Sequence, residues 1–351
     1  MEEKNHNILI TGGSGFIGSN FIRWMYERYP KYRIFNLDAL TYAGNPENLF
    51  DVEQLEIGKQ PENRRYHFIQ GDVCDGKLLD ALFHANRFEL VVHFAAETHV
   101  DRSLINAANF IRTNIEGTRS LMESVHQHKT PRFVHISTDE IYGSVDIGFA
   151  NESAPLRPSN PYSTSKAGAD LLVQSYAKTY GIPAIIMRGS NNYGPYQYPE
   201  KLIPMAVSNL MENKKIPLHG TGEHVRSWLH VKDFCSAIDM AAHNGKEHAV
   251  YNVSGEQMNN LKVLEAIGRH LGKDIHAYKE HVGDRPGADM RYAVDSTRLQ
   301  KELGWSRAYS VQSSLKDVVR WYEEHQDWWH KIKATKEFQE YYDKQATAQW
   351  Y

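Results

Sequence analysis

The sequence predicts an α/β fold, a doubly wound parallel sheet with a smaller α/β substrate-binding lobe. Three observations carry this. Short apolar runs alternate with helical patterns from residue 7 to residue 188. Glycines at 12, 15 and 18 follow the first run directly and open the first helical pattern. Groups suited to proton transfer stand at a predicted strand end, as Thr138, Asp139 and Glu140, with Tyr162 and Lys166 shortly after. In open sheets of this kind, ligands gather at the carboxyl ends of the strands.

Residues 7–11 read as a short buried strand. Gly12, Gly15 and Gly18 then form a pyrophosphate cradle, with Phe16 and Ile17 starting a helix. Glycine lets backbone N–H groups approach the phosphates, and the helix N-terminus favours negative charge. Residues 33–38 are the second strand. It ends in Asp38, about twenty residues past the last glycine, where an acid binds the ribose hydroxyls of NAD. A carboxylate there repels a 2′-phosphate, so NAD is expected over NADP. The polar stretch 39–65, which contains Thr41, lies over the cofactor or at a subunit contact. Residues 66–70 form the third strand. Asp72, followed by Val73, is either an adenine-binding acid or a helix N-cap. Residues 78–84 are helical and 90–94 form the fourth strand. Ala95 and Ala96 follow it, small enough to let a flat cofactor pass close to the backbone. A long helix over 109–128, a fifth strand over 133–138, a helix over 167–180 and a sixth strand over 184–188 complete this half.

The composition then shifts. Residues 189–196 are polar, aromatic and turn-rich. Helices are expected over 202–211, 231–243, 260–271, 296–303 and 311–321. Short strands are expected at 216–220 and 225–229, flanking a glycine-rich turn, and at 250–253. Residues 1–190 therefore form the cofactor domain, with 231–257 returning to its sheet. Residues 191–230 and 258–310 form the lobe, and 311–351 a C-terminal helix and tail. The pattern leaves open whether 328–351 docks or frays.

Composition excludes several classes. With 351 residues and a net charge of -3, the chain has no basic excess for a nucleic-acid partner. No run of ~18 apolar residues exists, so no membrane segment is expected. Cys74 and Cys235 stand far apart, without a CxxC, which fits a reducing compartment. The 18 histidines include no HExxH, and no metal site is expected. The polar N-terminus lacks the apolar stretch of a signal peptide, so a cytoplasmic location is expected.

Tyr162 and Lys166 are four residues apart at the start of a helical pattern, so their polar ends share one face. A cation beside a phenol favours the phenolate and makes tyrosine a usable base near neutral pH. Thr138, Asp139 and Glu140 add a hydroxyl and two carboxyl groups. This inventory suits oxidation combined with acid–base work on one substrate.

Gly12-x-x-Gly15-x-x-Gly18 together with Tyr162-x-x-x-Lys166 resembles the extended short-chain dehydrogenase/reductase superfamily, over residues 7–329. Within it, Ser137-Thr138-Asp139-Glu140-Ile141-Tyr142-Gly143 is similar to the dTDP-glucose 4,6-dehydratases. The stretches 188–195, 199–204 and 284–287 support this. The resemblance implies a Rossmann-type sheet, bound NAD, and a homodimer built through a helix bundle. It also implies a nucleotide-diphosphate sugar as substrate, dTDP-glucose, converted to dTDP-4-keto-6-deoxyglucose and water. Tyr162 then takes the proton of the C4 hydroxyl, and Lys166 lowers the tyrosine pKa and holds the nicotinamide ribose. Thr138 orients that hydroxyl, Glu140 removes the C5 proton, and Asp139 protonates the departing C6 hydroxyl. This division requires Asp139 protonated and Glu140 ionised. Ser137 and Asn192 lie near the cofactor. Thr98, Asn191, Lys201, Leu202, Arg226, Asn260 and Arg285 contact the substrate, the two arginines as forks for the diphosphate. The Asp–Glu pair separates the dehydratases from the related epimerases. Two positions depart from the family pattern: Ala288 replaces the usual histidine after Arg-Pro-Gly, and Ser227 the aspartate of Arg-Asp-Trp. Both fall in the nucleotide-diphosphate region. The same reaction on a UDP- or CDP-sugar, and a nucleotide-sugar 4-epimerase, are the alternatives.

Overall fold

The computed structural model describes residues 6–349, so the polar residues 1–5 and the last two of the tail lie outside the described residues. Among the described residues the strands are, in chain order, β1 (His6–Thr11), β2 (Tyr32–Asp38), β3 (Tyr66–Gln70), β4 (Leu90–His93), β5 (Phe133–Thr138), β6 (Ala184–Gly189), β7 (Asn191–Tyr193), β8 (Ile216–His219), β9 (Val225–His230), β10 (Val250–Val253), β11 (Glu256–Asn259) and β12 (Lys279–Val282). Seven form one parallel sheet in the order β10-β6-β5-β4-β1-β2-β3. The order reverses between β1 and β4, which opens a crevice above their carboxyl ends.

The strands are apolar because both faces are covered. Successive side chains of β1 alternate between two cores. Ile8 and Ile10 pack with Phe21, Ile22, Phe234 and Ile238, while Leu9 packs with Phe83, Leu121 and Val173. Helices Phe16–Arg28 and Val231–Asn244 therefore cover one face, and Gly76–Asn86, Thr118–Gln127 and Pro161–Tyr180 the other.

Beyond β6 the chain builds a second core around Val207, Leu264, Leu315 and Trp329. The strands read at 216–220 and 225–229 exist, but they do not pair with each other. β8 pairs with β12, and β9 lies between β11 and β7. The intervening turn, with Gly220 and Gly222 at positive φ, separates them, and their partners come from distant sequence. Helix Thr297–Leu303, inside the stretch assigned to the lobe, places Leu299 in the sheet-side core, followed by Trp305.

The helices depart from their sequence patterns in three regions. The helix read over 167–180 begins at Pro161. Asn160 caps it by accepting from the Ser163 N–H at 2.9 Å, and proline occupies the first turn, where its missing N–H costs nothing. The helix read over 109–128 contains a π-helical segment, Ile111–Gly117. The third departure is at the end of the chain, which docks as two helices, Gln326–Lys333 and Lys336–Thr347, with Trp328, Trp329, Ile332 and Phe338 buried. Apolar periodicity hidden in a polar, aromatic composition explains why the tail stayed undecided.

Candidate active site

At the crevice the glycine turn is packed to its limit. A Cβ on Gly12, which has φ +71°, would sit 2.5 Å from the Ala95 backbone N, and one on Gly18 would sit 2.3 Å from the Gly12 O. Only glycine lets the first strand, the fourth strand end and the helix meet so closely. Gly15 begins helix Phe16–Arg28 without a side-chain cap, so the first N–H groups of that helix face the crevice. Asp38 ends β2 and accepts from the Ser14 N–H at 2.9 Å and the Leu40 N–H at 2.8 Å.

All the cofactor residues read from the sequence line this one cleft. Gly12, Gly15, Phe16, Ile17, Gly18, Asp38, Thr41, Asp72 and Val73 form one end, and Ala95, Ala96, Ser137, Tyr162, Lys166 and Asn192 the other. The N-cap reading of Asp72 falls to Asp75, which accepts from the Lys77 and Leu78 N–H groups. Asp72 instead bonds the Cys74 N–H and pairs with Arg112 at 2.7 Å. The cleft fits a dinucleotide on two counts. Its floor has no room for side chains at Gly12 and Gly18, and the Ser137 hydroxyl and the Asn192 Oδ1 are buried without a partner.

The candidate acid–base groups stand where β5 ends. Thr138 Oγ1 accepts from the Glu140 N–H at 3.3 Å and starts the tight turn Asp139–Tyr142. This turn sinks Asp139, which is 2% exposed with Oδ2 unpartnered, and leaves Glu140 on the cleft wall. Burial raises both carboxyls. Asp139 rises well above the usual range, because the Glu140 charge adds to burial. Glu140 rises less, because Arg226, Lys201 and Arg285 oppose its burial. Asp139 is thus the sunken member of the pair and Glu140 the one on the cleft wall with three cations acting on it, the arrangement that an acid–base division of labour requires.

Tyr162 and Lys166 share a helix, and burial acts on both of them in the protein alone. Lys166 Nζ donates to the Ile136 carbonyl at 2.6 Å, and burial pushes its ammonium down to about 8. Burial raises the Tyr162 hydroxyl far above its ordinary value, the Glu140 and Asp139 charges raise it further, and a hydrogen bond with Thr138 opposes them. One donor of the Lys166 ammonium is held by the Ile136 carbonyl, and the charges that act most on the phenol in the protein alone are those of Glu140 and Asp139.

A second cleft adjoins the first and shares Glu140, Thr98, Asn191 and Lys201 with it. Leu202, Arg226, Asn260 and Arg285 line its outer part. Every substrate residue read from the sequence is therefore brought together here. Lys201 Nζ donates to the Thr98 carbonyl at 3.1 Å. Arg226 lies over the Tyr292 ring at 4.3 Å, and Arg285 Nη2 donates to Asp101 Oδ2 at 3.1 Å. Asn191 and Asn260 each keep a buried Oδ1 without a partner. Of the two departures from the family pattern, Ala288 lines this cleft. Ser227 is fully buried and donates to the Tyr292 carbonyl at 3.3 Å.

Sequence reasoning missed four residues. Asp101 steadies Arg285, and Glu200 holds the buried Arg102 at 3.0 Å. Tyr292 donates to Asp289 at 3.0 Å and reaches Glu140 at 3.5 Å. Asn114, on the π-helical segment, accepts from the Glu97 N–H at 2.8 Å and donates to Ser165 at 2.8 Å, tying the β4 end to the Tyr162 helix. None stands in a spacing that marks it. The π-helical segment, a feature common at functional sites, leaves no trace in an apolar pattern.

A glycine cradle on a doubly wound sheet, with a Tyr-x-x-x-Lys helix beside it, defines the class of extended short-chain dehydrogenase/reductases. The family model described as GDP-mannose 4,6 dehydratase matches residues 9–318. A dTDP-glucose 4,6-dehydratase of Streptomyces niveus is 42% identical, covering 94% of this chain and 96% of its own. The solved dTDP-glucose 4,6-dehydratase of Bacillus anthracis, in complex with NAD, is 43% identical, with a TM-score of 0.85 over 93% of this chain and 100% of that one. That of Streptomyces venezuelae, also with NAD bound, is 41% identical with a TM-score of 0.88, over 93% and 100%. The chain belongs to the nucleotide-sugar 4,6-dehydratases and, among these, to the dTDP-glucose 4,6-dehydratase family.

Proposed function

We propose that this protein converts dTDP-glucose to dTDP-4-keto-6-deoxyglucose and water with NAD bound throughout. The observation that carries the reading is the position of Glu140 where the two clefts meet, with Thr138 on the wall of the first cleft and Asp139 buried directly between them in the chain. Bound NAD supplies the hydride acceptor at C4 and the hydride donor at C6, so none is consumed. Tyr162 takes the proton of the C4 hydroxyl, which Thr138 orients; the Lys166 ammonium and the positive nicotinamide ring of bound NAD would supply the charge that favours its phenolate. With a ketone at C4 the C5 proton is acidic, and Glu140 removes it. Asp139, held protonated by burial and by its neighbour's charge, gives its proton to the C6 hydroxyl, which leaves as water. C5 is then reprotonated.

The Ser137 hydroxyl and Asn192 face the cofactor. Arg226 and Arg285 are the cations for the diphosphate, and Thr98, Asn191, Lys201, Leu202 and Asn260 complete the substrate contacts. Residues 1–190 with 231–257 carry the cofactor, with helix Thr297–Leu303 packed on the sheet side, and 191–230 with 258–295 carry the nucleotide sugar. Incubation with dTDP-glucose should give a product lighter by one water that absorbs in alkali. No such product from dTDP-, UDP- or CDP-glucose, or from UDP-N-acetylglucosamine, would sink the reading, and a product of unchanged mass would mark an epimerase.

The protein works in the cytoplasm as a homodimer. Among the described residues no helix is long and apolar enough to cross a membrane. Ile111 is 46% exposed and Leu171 54%, on adjoining helical segments whose inner faces are fully packed. Two copies related by a two-fold axis would bury them in a four-helix bundle. Leu171→Lys is expected to shift the protein from dimer to monomer at micromolar concentration in analytical ultracentrifugation. A wild-type monomer would refute the arrangement.

A further inference from the structure

The two C-terminal helices lie far from the glycine turn in sequence and are joined to it by a buried chain of hydrogen bonds. Trp328 Nε1 donates to Asn48 Oδ1 at 2.9 Å. The same amide donates through Nδ2 to the Ser14 carbonyl at 2.8 Å. Ser14 stands between Gly12 and Gly15, and its N–H donates to Asp38 Oδ2 at 2.9 Å. Asn48 is 1% exposed, and its side chain is oriented without ambiguity, since one end meets a donor and the other an acceptor. The second C-terminal helix holds the same loop from its other end. Arg102 pairs with Glu337 at 2.9 Å and lies between the Tyr42 ring at 3.5 Å and the Tyr341 ring at 3.9 Å. The loop from residue 39 to residue 49, which borders the cofactor cleft at Thr41 and Gly44, is thus fastened at both ends by the end of the chain.

We propose that Trp328 and Asn48 are positioning residues for the dinucleotide: they hold the glycine turn and the loop over it, and so set how long NAD stays bound. This rests on the reading that the cofactor is regenerated in place. A catalyst that returns its hydride in every cycle gains from slow cofactor release. A dehydrogenase that exchanges cofactor in each turnover has no use for such a fastening.

The test measures release of NAD from the full-length holoprotein, after dilution into a trap that consumes free NAD. Trp328→Phe keeps a ring but removes the donor, which orphans a buried acceptor against the glycine turn. Release is expected to become about tenfold faster, and activity to fall on dilution and return when NAD is added. Asn48→Asp, which can no longer donate to Ser14, is expected to do the same and serves if Trp328→Phe does not fold. Lys331→Ala removes only the exposed pair with Glu47 and is expected to leave release unchanged. Release within twofold of wild type in both Trp328→Phe and Asn48→Asp overturns the inference, as does equal acceleration by Lys331→Ala. A wild-type protein that retains NAD but makes no dehydrated sugar refutes the proposed function instead, while the release rates still decide this one.

Discussion

Tyr162→Phe is expected to lower turnover of dTDP-glucose by about 10²–10⁴-fold, the range for losing a positioned proton acceptor. The substitution removes one oxygen and keeps the ring, which packs edge-on against Phe110 at 6.2 Å. The helix start is set by Asn160 and Pro161, so the variant should fold as the wild type does. NAD and sugar binding are therefore expected to stay within a fewfold, and the loss to fall on kcat. Steady-state kinetics with product detection checks this, and a loss below tenfold removes Tyr162 from the role. A non-catalytic NAD-binding protein would show no turnover to lose.

Glu140→Gln is expected to keep oxidation at C4, seen as reduced cofactor absorbance, and to lose exchange of the C5 hydrogen with deuterated solvent by about 10²–10⁴-fold. Normal exchange would assign the base to another group. The pH dependence gives an independent check. Glu140 must be ionised and Asp139 protonated, and Asp139 is raised the further of the two, by burial and then by the Glu140 charge. Wild-type elimination should rise as pH rises through the Glu140 value and fall as it rises through that of Asp139. In Glu140→Gln the neighbouring charge is gone, so the alkaline limb of any residual activity moves to lower pH. Stability follows the same linkage. A carboxyl whose folded pKa exceeds its unfolded one leaves stability intact below the unfolded value and loses it as pH rises through the folded value. Asp139→Asn is therefore expected to abolish elimination and to raise the melting temperature at alkaline pH, with the gain vanishing near pH 3. An active-site group that costs stability where it works is a common trade-off.

The core of the site was legible because it is written in short spacings. Gly12 to Gly18, Asp38 at the end of β2, the Thr138–Glu140 triplet at the end of β5 and the Tyr162–Lys166 step each lie within one element or at its edge. Periodicity locates such elements well. Three things were not legible. The direction of the Lys166 ammonium depends on the Ile136 carbonyl thirty residues away. The partners of β8 and β9 are β12 for the one and β11 and β7 for the other, all distant in sequence. The docking of the last helices depends on surfaces made by residues 42–48, 102 and 200, with the Gln345 side chain donating to the Glu200 carbonyl at 3.2 Å.

By itself, the sequence determined the doubly wound sheet and the cofactor and marked the candidate proton-transfer groups, because turn geometry, helix period and residue chemistry are local properties. Tertiary structure alone decided that the two clefts meet at Glu140, that Asp139 is sunk beside it, and that Tyr162 is raised by its surroundings. It also decided that the end of the chain returns through Trp328 and Asn48 to Ser14. Each of these depends on burial and on distances between groups far apart in the chain, which folding sets and spacing does not encode.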